Sequence, residues 1–153
     1  MCIRDSLHAA NLELFPDISS ENLQSSIKKA IQYWNCVAEN LNTWNLAKSN
    51  DLPPSERKEY VNFSAIVLKC LGIIGNQLLE QKSYKRTLKK LNKIDWRRTN
   101  KENWEGRCIN QGRMMHNNVA ALLTVATIKK HLELPLTPKE KAEEIKFKGA
   151  NND

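Results

Sequence analysis

Between Ser20 and Lys48, apolar residues recur at Leu23, Ile27, Ala30, Trp34, Val37, Leu41 and Trp44, in alternating steps of four and three. On an α-helix those steps fall on one stripe, so the pattern predicts one helix over about 20–48, with Ser19 or Ser20 as its cap. Lys28, Lys29, Gln32 and Glu39 occupy the other face, which leaves that side to water. The pattern breaks at "SNDLPPSER", where two prolines end the helix and Ser55 can cap a second one running to about Gln81. From Val61 to Leu79 this second segment reads "VNFSAIVLKCLGIIGNQLL", apolar nearly all round, and its expected place is the centre of a bundle. Gly72 and Gly75 share one face there. In a helix each costs roughly 1 kcal/mol relative to alanine, so the pair predicts a close crossing by another backbone.

A third segment, "KSYKRTLKKLNKI", sorts into two sides if helical. Tyr84, Leu88 and Leu91 fall on one, while Lys82, Lys85, Arg86, Lys89, Lys90 and Lys93 follow one another along the other. Beyond a polar stretch bearing Trp96 and Trp104, "EGRCINQGRMMHNN" carries Gly106 and Gly112 and predicts a loop or short helix with a turn. Asn117 or Asn118 then caps a helix with Val119, Leu122, Leu123 and Ala126 directed inward. Thr137, Pro138 and Glu140 form the pattern of a capping box before a short terminal helix. The polar residues 146–153 predict a disordered tail, and no strand pattern of comparable quality appears. The expected fold is all-α: a small helical bundle of four to five helices with a basic helix-loop segment, built from 18–145 and preceded by a linker at 7–17.

Composition adds a direction. The 153 residues suit one domain, and 24 Lys and Arg against 17 Asp and Glu give a net charge of +7. Residues 82–113 hold eleven of those cations against Asp95, Glu102 and Glu105, whereas the rest of the chain has thirteen cations against fourteen acids. The whole surplus therefore sits in one fifth of the sequence, which points to phosphate contact and to nucleic acid as partner. The candidate nucleic-acid-binding residues are Lys82, Lys85, Arg86, Lys89, Lys90, Lys93, Arg97, Arg98, Arg107 and Arg113, with Asp95, Trp96 and Trp104 anchoring the loop that presents the arginines. In an alternative reading Trp96, Trp104, Asp95 and Arg107 form an internal clasp, and the chain is a helical interaction or scaffold module without DNA binding of its own.

No catalytic site, cofactor or metal centre is expected. Glu102, Glu105 and His116 lack a nucleophile, ligand set or oxyanion donor beside them, and His8, His116 and His131 share no helix face. Cys2, Cys36, Cys70 and Cys108 stand 34 to 38 residues apart with no C-x-x-C pair, as free thiols in a reducing compartment would. No run approaches the length of a membrane span and the first residues lack a signal-peptide layout, so a soluble cytoplasmic protein is expected.

Two resemblances complete the reading. The opening "MCIRDS" is similar to read-through translation of a sequencing adapter, which implies that residues 1–6 are no part of the fold and that the natural chain begins upstream of Leu7. Independently, Ile94-Asp95-Trp96, Trp104-Glu105-Gly106-Arg107, Gly112-Arg113, Asn117-Asn118 and Leu134-Pro135-Leu136-Thr137-Pro138 occur in an order that resembles the carboxy-terminal region of the DndB family, also labelled DGQHR-domain proteins. Agreement extends from about Ile18 to Glu140. The resemblance implies a regulator in a bacterial DNA phosphorothioate modification system, a transcriptional repressor of the modification operon that binds double-stranded DNA and works beside other DNA-modification proteins. The Asp-Gly-Gln-His-Arg segment itself is absent from this sequence, and "VNFSAIV" stands where a histidine-bearing stretch is expected.

Overall fold

The computed structural model of the chain describes residues 3–151. The fold is predominantly helical as expected, but more finely divided: among the described residues there are nine α-helices rather than four or five. Five are long: α1 (Ile3–Leu14), α2 (Leu23–Glu39), α5 (Ala65–Leu78), α8 (Asn118–Leu132) and α9 (Pro138–Ala150). The other four, α3 (Asn42–Lys48), α4 (Pro54–Arg57), α6 (Tyr84–Leu88) and α7 (Lys101–Trp104), are short pieces that turn the chain. A two-stranded antiparallel hairpin, β1 (Ile109–Asn110) and β2 (Arg113–Met114), pairs Ile109 with Met114 and Asn110 with Arg113. Gln111 and Gly112, both at positive φ, make its two-residue turn, a conformation that glycine adopts without penalty.

The nearly all-apolar segment is the centre. α5 buries Ile66, Val67, Cys70, Leu71, Ile74 and Leu78, with α1 and α8 packed on it and α9 packed on α8. The glycine face is indeed a crossing: a Cβ on Gly72 would overlap the Ala10 carbonyl oxygen, and one on Gly75 would stand 2.5 Å from Leu14 Cδ1 and Tyr33 Cζ. The crossing element is α1. Residues 7–17 were expected as a linker and 1–6 as no part of the fold, yet residues from Ile3 onward form this helix. Its contact face is Ser6, Ala10 and Leu14 at steps of four. Two small residues in that face allow a close approach but leave no strong apolar stripe to read.

The helix predicted over 20–48 is interrupted at Asn40 and Leu41. Leu41 takes extended backbone (φ −118°, ψ 96°), and the Asn40 side-chain amide donates to the Cys36 carbonyl at 2.8 Å. The inward face of α2 is also rotated from the expected stripe, burying Ser26, Tyr33, Cys36 and Val37 and leaving Leu23, Ile27 and Ile31 exposed. Tyr33 explains part of this: its hydroxyl donates to the Leu71 carbonyl of α5 at 2.5 Å, inside the core.

The helix predicted from Ser55 to Gln81 starts only at Ala65, after the single turn of α4 and a 3-10 turn at Val61–Phe63. Tertiary pairing outcompetes helix here. The Val61 N–H donates to the Trp96 carbonyl and the Arg98 N–H to the Glu59 carbonyl, both at 2.9 Å, which requires Tyr60 to be extended.

Asn117 caps α8, accepting the Ala120 N–H at 2.8 Å, but Val119 points outward rather than inward. The capping box of α9 forms as expected, with Thr137 and Glu140 satisfying each other's backbone N–H groups. The helix then continues to Ala150, through much of the stretch expected to be disordered. Cys36, Cys70 and Cys108 are buried free thiols, whereas Cys2 lies outside the described residues. No helix of the described residues is long and apolar enough to cross a membrane.

Candidate nucleic-acid interface

α6 and the 3-10 turn that follows it, Lys89–Lys93, carry the basic ridge. Leu88 and Leu91, both fully buried, fix its inner side to the core. Lys82, Lys85, Arg86, Lys89 and Lys93 are exposed, and among the described residues none of them has a carboxylate within ion-pair distance. Lys90 differs from its neighbours. Its ammonium pairs with Glu133 and also reaches the Leu132 carbonyl at 3.4 Å, tying the ridge to the end of α8. The hydrogen bond and charge of Lys90 hold the Glu133 carboxyl below its ordinary range.

The two loop tryptophans are anchors. Trp96 and Trp104 stack at 5.4 Å between centroids and 14° between planes, and Trp104 is fully buried. Trp104 Nε1 donates to the Asp95 carbonyl at 2.9 Å and Trp96 Nε1 to the Leu91 carbonyl at 3.2 Å, so each ring also pins the backbone leading out of the ridge. With both faces occupied or buried, neither indole offers a platform for a base. The Asp95 carboxylate accepts from the Arg97 backbone N–H and from Arg97 Nε, each at 3.1 Å, which orients an exposed guanidinium.

The structure separates the remaining arginines. Arg113 lies exposed on β2, and Arg98 is half-buried, donating to the Lys58 carbonyl at 3.3 Å and the Gly112 carbonyl at 2.8 Å. Arg107 corrects the expectation outright: its side chain is only 8% exposed and is paired with Glu144 of α9, so it faces no external phosphate. It also donates to the Leu123 carbonyl at 3.2 Å and lies 4.4 Å over the Phe147 ring. Burial pushes the Glu144 carboxyl up, but the hydrogen bonds and charges of Arg107 and Lys130 outweigh it and hold the group below its ordinary range. Arg107 thus clasps α9 rather than the tryptophan loop.

A second internal pair was not foreseen. Lys129, fully buried in α8, donates to both carboxylate oxygens of Glu140 at 2.7 and 2.8 Å. Its signal was a lysine on the inward side of an apolar helix, facing glutamates spaced four apart in the next one. None of the suspected catalytic groups converges. Glu105 accepts the Gln111 N–H at 2.7 Å, bracing the hairpin, while Glu102 and His116 are exposed. Among the described residues no group of three or more His, Cys, Asp or Glu is arranged to hold a metal ion. Burial pushes the Cys108 thiol up to about 12 and raises that of Cys70, which makes both poor nucleophiles.

A protein-family model described as DndB, DNA-sulfur modification-associated, matches residues 1–135. No curated protein and no solved structure matches the chain.

Proposed function

The chain belongs to the DndB family, and from that membership we propose that it is a DNA-binding regulator of a bacterial DNA phosphorothioate modification system, acting as a transcriptional repressor of the modification operon rather than as an enzyme. The observation that carries the reading is the run of exposed, unpaired cations Lys82, Lys85, Arg86, Lys89 and Lys93 on a rigidly anchored edge. Exposed cations in a row suit the regularly spaced phosphates of duplex DNA and release its counterions on binding. Arg97, which lines one surface groove with Lys93, extends the same surface. Phosphate contacts of this kind position the protein without reading sequence.

The test is a quadruple variant, Lys85→Gln, Arg86→Gln, Lys89→Gln and Lys93→Gln, which spares the Lys90–Glu133 pair and so leaves the fold alone. Affinity for duplex DNA should fall on every sequence tried, and the slope of log affinity against log salt should flatten by about 0.9 for each phosphate no longer neutralised. Unchanged affinity and slope would refute the interface.

One observation favours a second reading for the loop beyond the ridge. Trp96, Trp104 and Arg107 are buried in internal contacts, as a helical interaction or scaffold module requires, and such a module would serve partner proteins of the modification machinery without touching DNA itself.

A further inference from the structure

Away from the ridge, the backbone pairing of 59–61 with 96–98 opens a cleft of about 310 Å³ between α4, the start of α5 and β2. Its lining includes Arg57, Lys58 and Arg98, the rings of Tyr60 and Phe63, and Met114, and it includes no acidic residue. Glu56 and Glu59 are chain neighbours of these cations, yet neither lines the cleft, and among the described residues neither makes an ion pair with them.

The guanidiniums are held in place by carbonyls alone. Arg57 donates through Nε to the Leu52 carbonyl at 3.1 Å and through Nη2 to the Ala47 carbonyl at 3.3 Å, while Arg98 is fixed by the Lys58 and Gly112 carbonyls. Each arginine has five N–H donors, so most remain for another acceptor. Neutral carbonyls orient the two charges without cancelling them. Half-buried like charges in one cleft repel each other unless an anion joins them, and a forked guanidinium matches a phosphate better than any other anion-binding side chain does.

The rest of the lining adds the second half of the chemistry. Aromatic and thioether side chains beside fixed cations combine a stacking surface with a phosphate clamp, the pairing by which single nucleotides and unpaired strands are held. The volume lies at the small end of ligand sites, roughly 300–1,000 Å³. We propose that this cleft seats one nucleotide unit, with Arg57, Lys58 and Arg98 on its phosphate and Tyr60, Phe63 and Met114 against its base or sugar. The seat shares no residue with α6 or the turn after it, and it stands whether or not the ridge binds duplex DNA.

The test is calorimetric titration of the whole chain, at fixed ionic strength, with a deoxynucleoside 5′-monophosphate, with inorganic phosphate and with a single-stranded oligonucleotide. Lys58→Glu is the main variant, because Lys58 is exposed and its side chain makes no ion pair among the described residues. Circular dichroism checks that it melts like the parent. Arg98→Lys keeps the charge and removes the fork.

Saturable binding of the mononucleotide, weakened about tenfold or more by Lys58→Glu, establishes the seat with a free nucleotide as ligand. Binding of the oligonucleotide alone, weakened by the same change, establishes it with a strand of DNA as the source. The double variant Lys85→Gln, Lys89→Gln should leave mononucleotide binding unaltered, which separates this seat from the ridge. Absence of binding by all three probes, equal binding by Lys58→Glu and the parent, or inorganic phosphate binding as tightly as the nucleotide would each overturn the proposal.

Discussion

Replacing Glu140 by glutamine should be among the most damaging single changes in the molecule, although it is nearly isosteric. Lys129 is fully buried and the Glu140 side chain only 3% exposed, with both carboxylate oxygens on the ammonium and one of them also accepting the Thr137 N–H at 2.8 Å. Glutamine can retain the bond to Thr137, but it leaves the ammonium without its counter-charge in a site that water does not reach. Removing one partner of such a pair costs about 3–5 kcal/mol. For a chain of this length each kcal/mol lowers Tm by roughly 2–4 °C, so a fall of about 6–20 °C is expected. Urea unfolding followed by circular dichroism measures the free energy directly, provided that the m-value is unchanged. The double change Lys129→Met, Glu140→Gln removes the stranded charge while an amide oxygen still accepts the Thr137 N–H, so it should recover much of the stability. A loss below about 1 kcal/mol for Glu140→Gln would match a solvent-exposed pair and would refute this account, as would a double variant less stable than the single one.

Trp104→Ala should cost about 3–5 kcal/mol of stability, since it empties a fully buried site and unstacks Trp96. Below its lowered Tm the folded protein should bind duplex DNA as the parent does, measured by the same salt titration; a selective loss of DNA affinity at full stability would instead make the indole part of the interface. Glu144, whose carboxyl is held below its ordinary range in the folded state, contributes stability that is complete above the pKa of an unfolded glutamate and is lost as pH falls through the depressed folded value. Unfolding measured across that acid window should show a shallower decline for Glu144→Gln than for the parent, and parallel declines would refute the linkage.

What could be read from the sequence follows from what kind of contact holds each element. α5 was legible because its burial is carried by large apolar side chains on all sides, and its glycines announced a crossing. α1, which makes that crossing, was not. Its face of Ser6, Ala10 and Leu14 works by being small, and apolar periodicity records size and hydrophobicity rather than closeness of approach. The last turn of α9 failed for a related reason: Phe147 lies under the Arg107 guanidinium, which Glu144 holds in place. Charges in the sequence look like a wet surface until the opposite charge is known to face them. The splitting of the second long predicted helix belongs to tertiary pairing around Tyr60, whereas the first ends where the Asn40 side chain bonds back to the Cys36 carbonyl.

The same physics divides the candidate interface. Sequence could count eleven cations between 82 and 113 but could not say which were already engaged. Lys90, Arg97 and Arg107 have carboxylate partners and Arg98 has two carbonyls, whereas Lys82, Lys85, Arg86, Lys89, Lys93, Lys101 and Arg113 have no ion pair among the described residues. Most residues of the segments that carry the family resemblance have internal roles, with Arg113 an exposed exception. Trp96 and Trp104 stack on each other, Gly112 turns the hairpin, Asn117 caps α8 and Thr137 caps α9. These contacts hold the scaffold on which the exposed cations stand. A phosphate-binding edge asks mainly for the sign and spacing of its charges. The proposed DNA contact accordingly rests on the cations that the fold leaves without an ion pair among the described residues, Arg113 of the hairpin included.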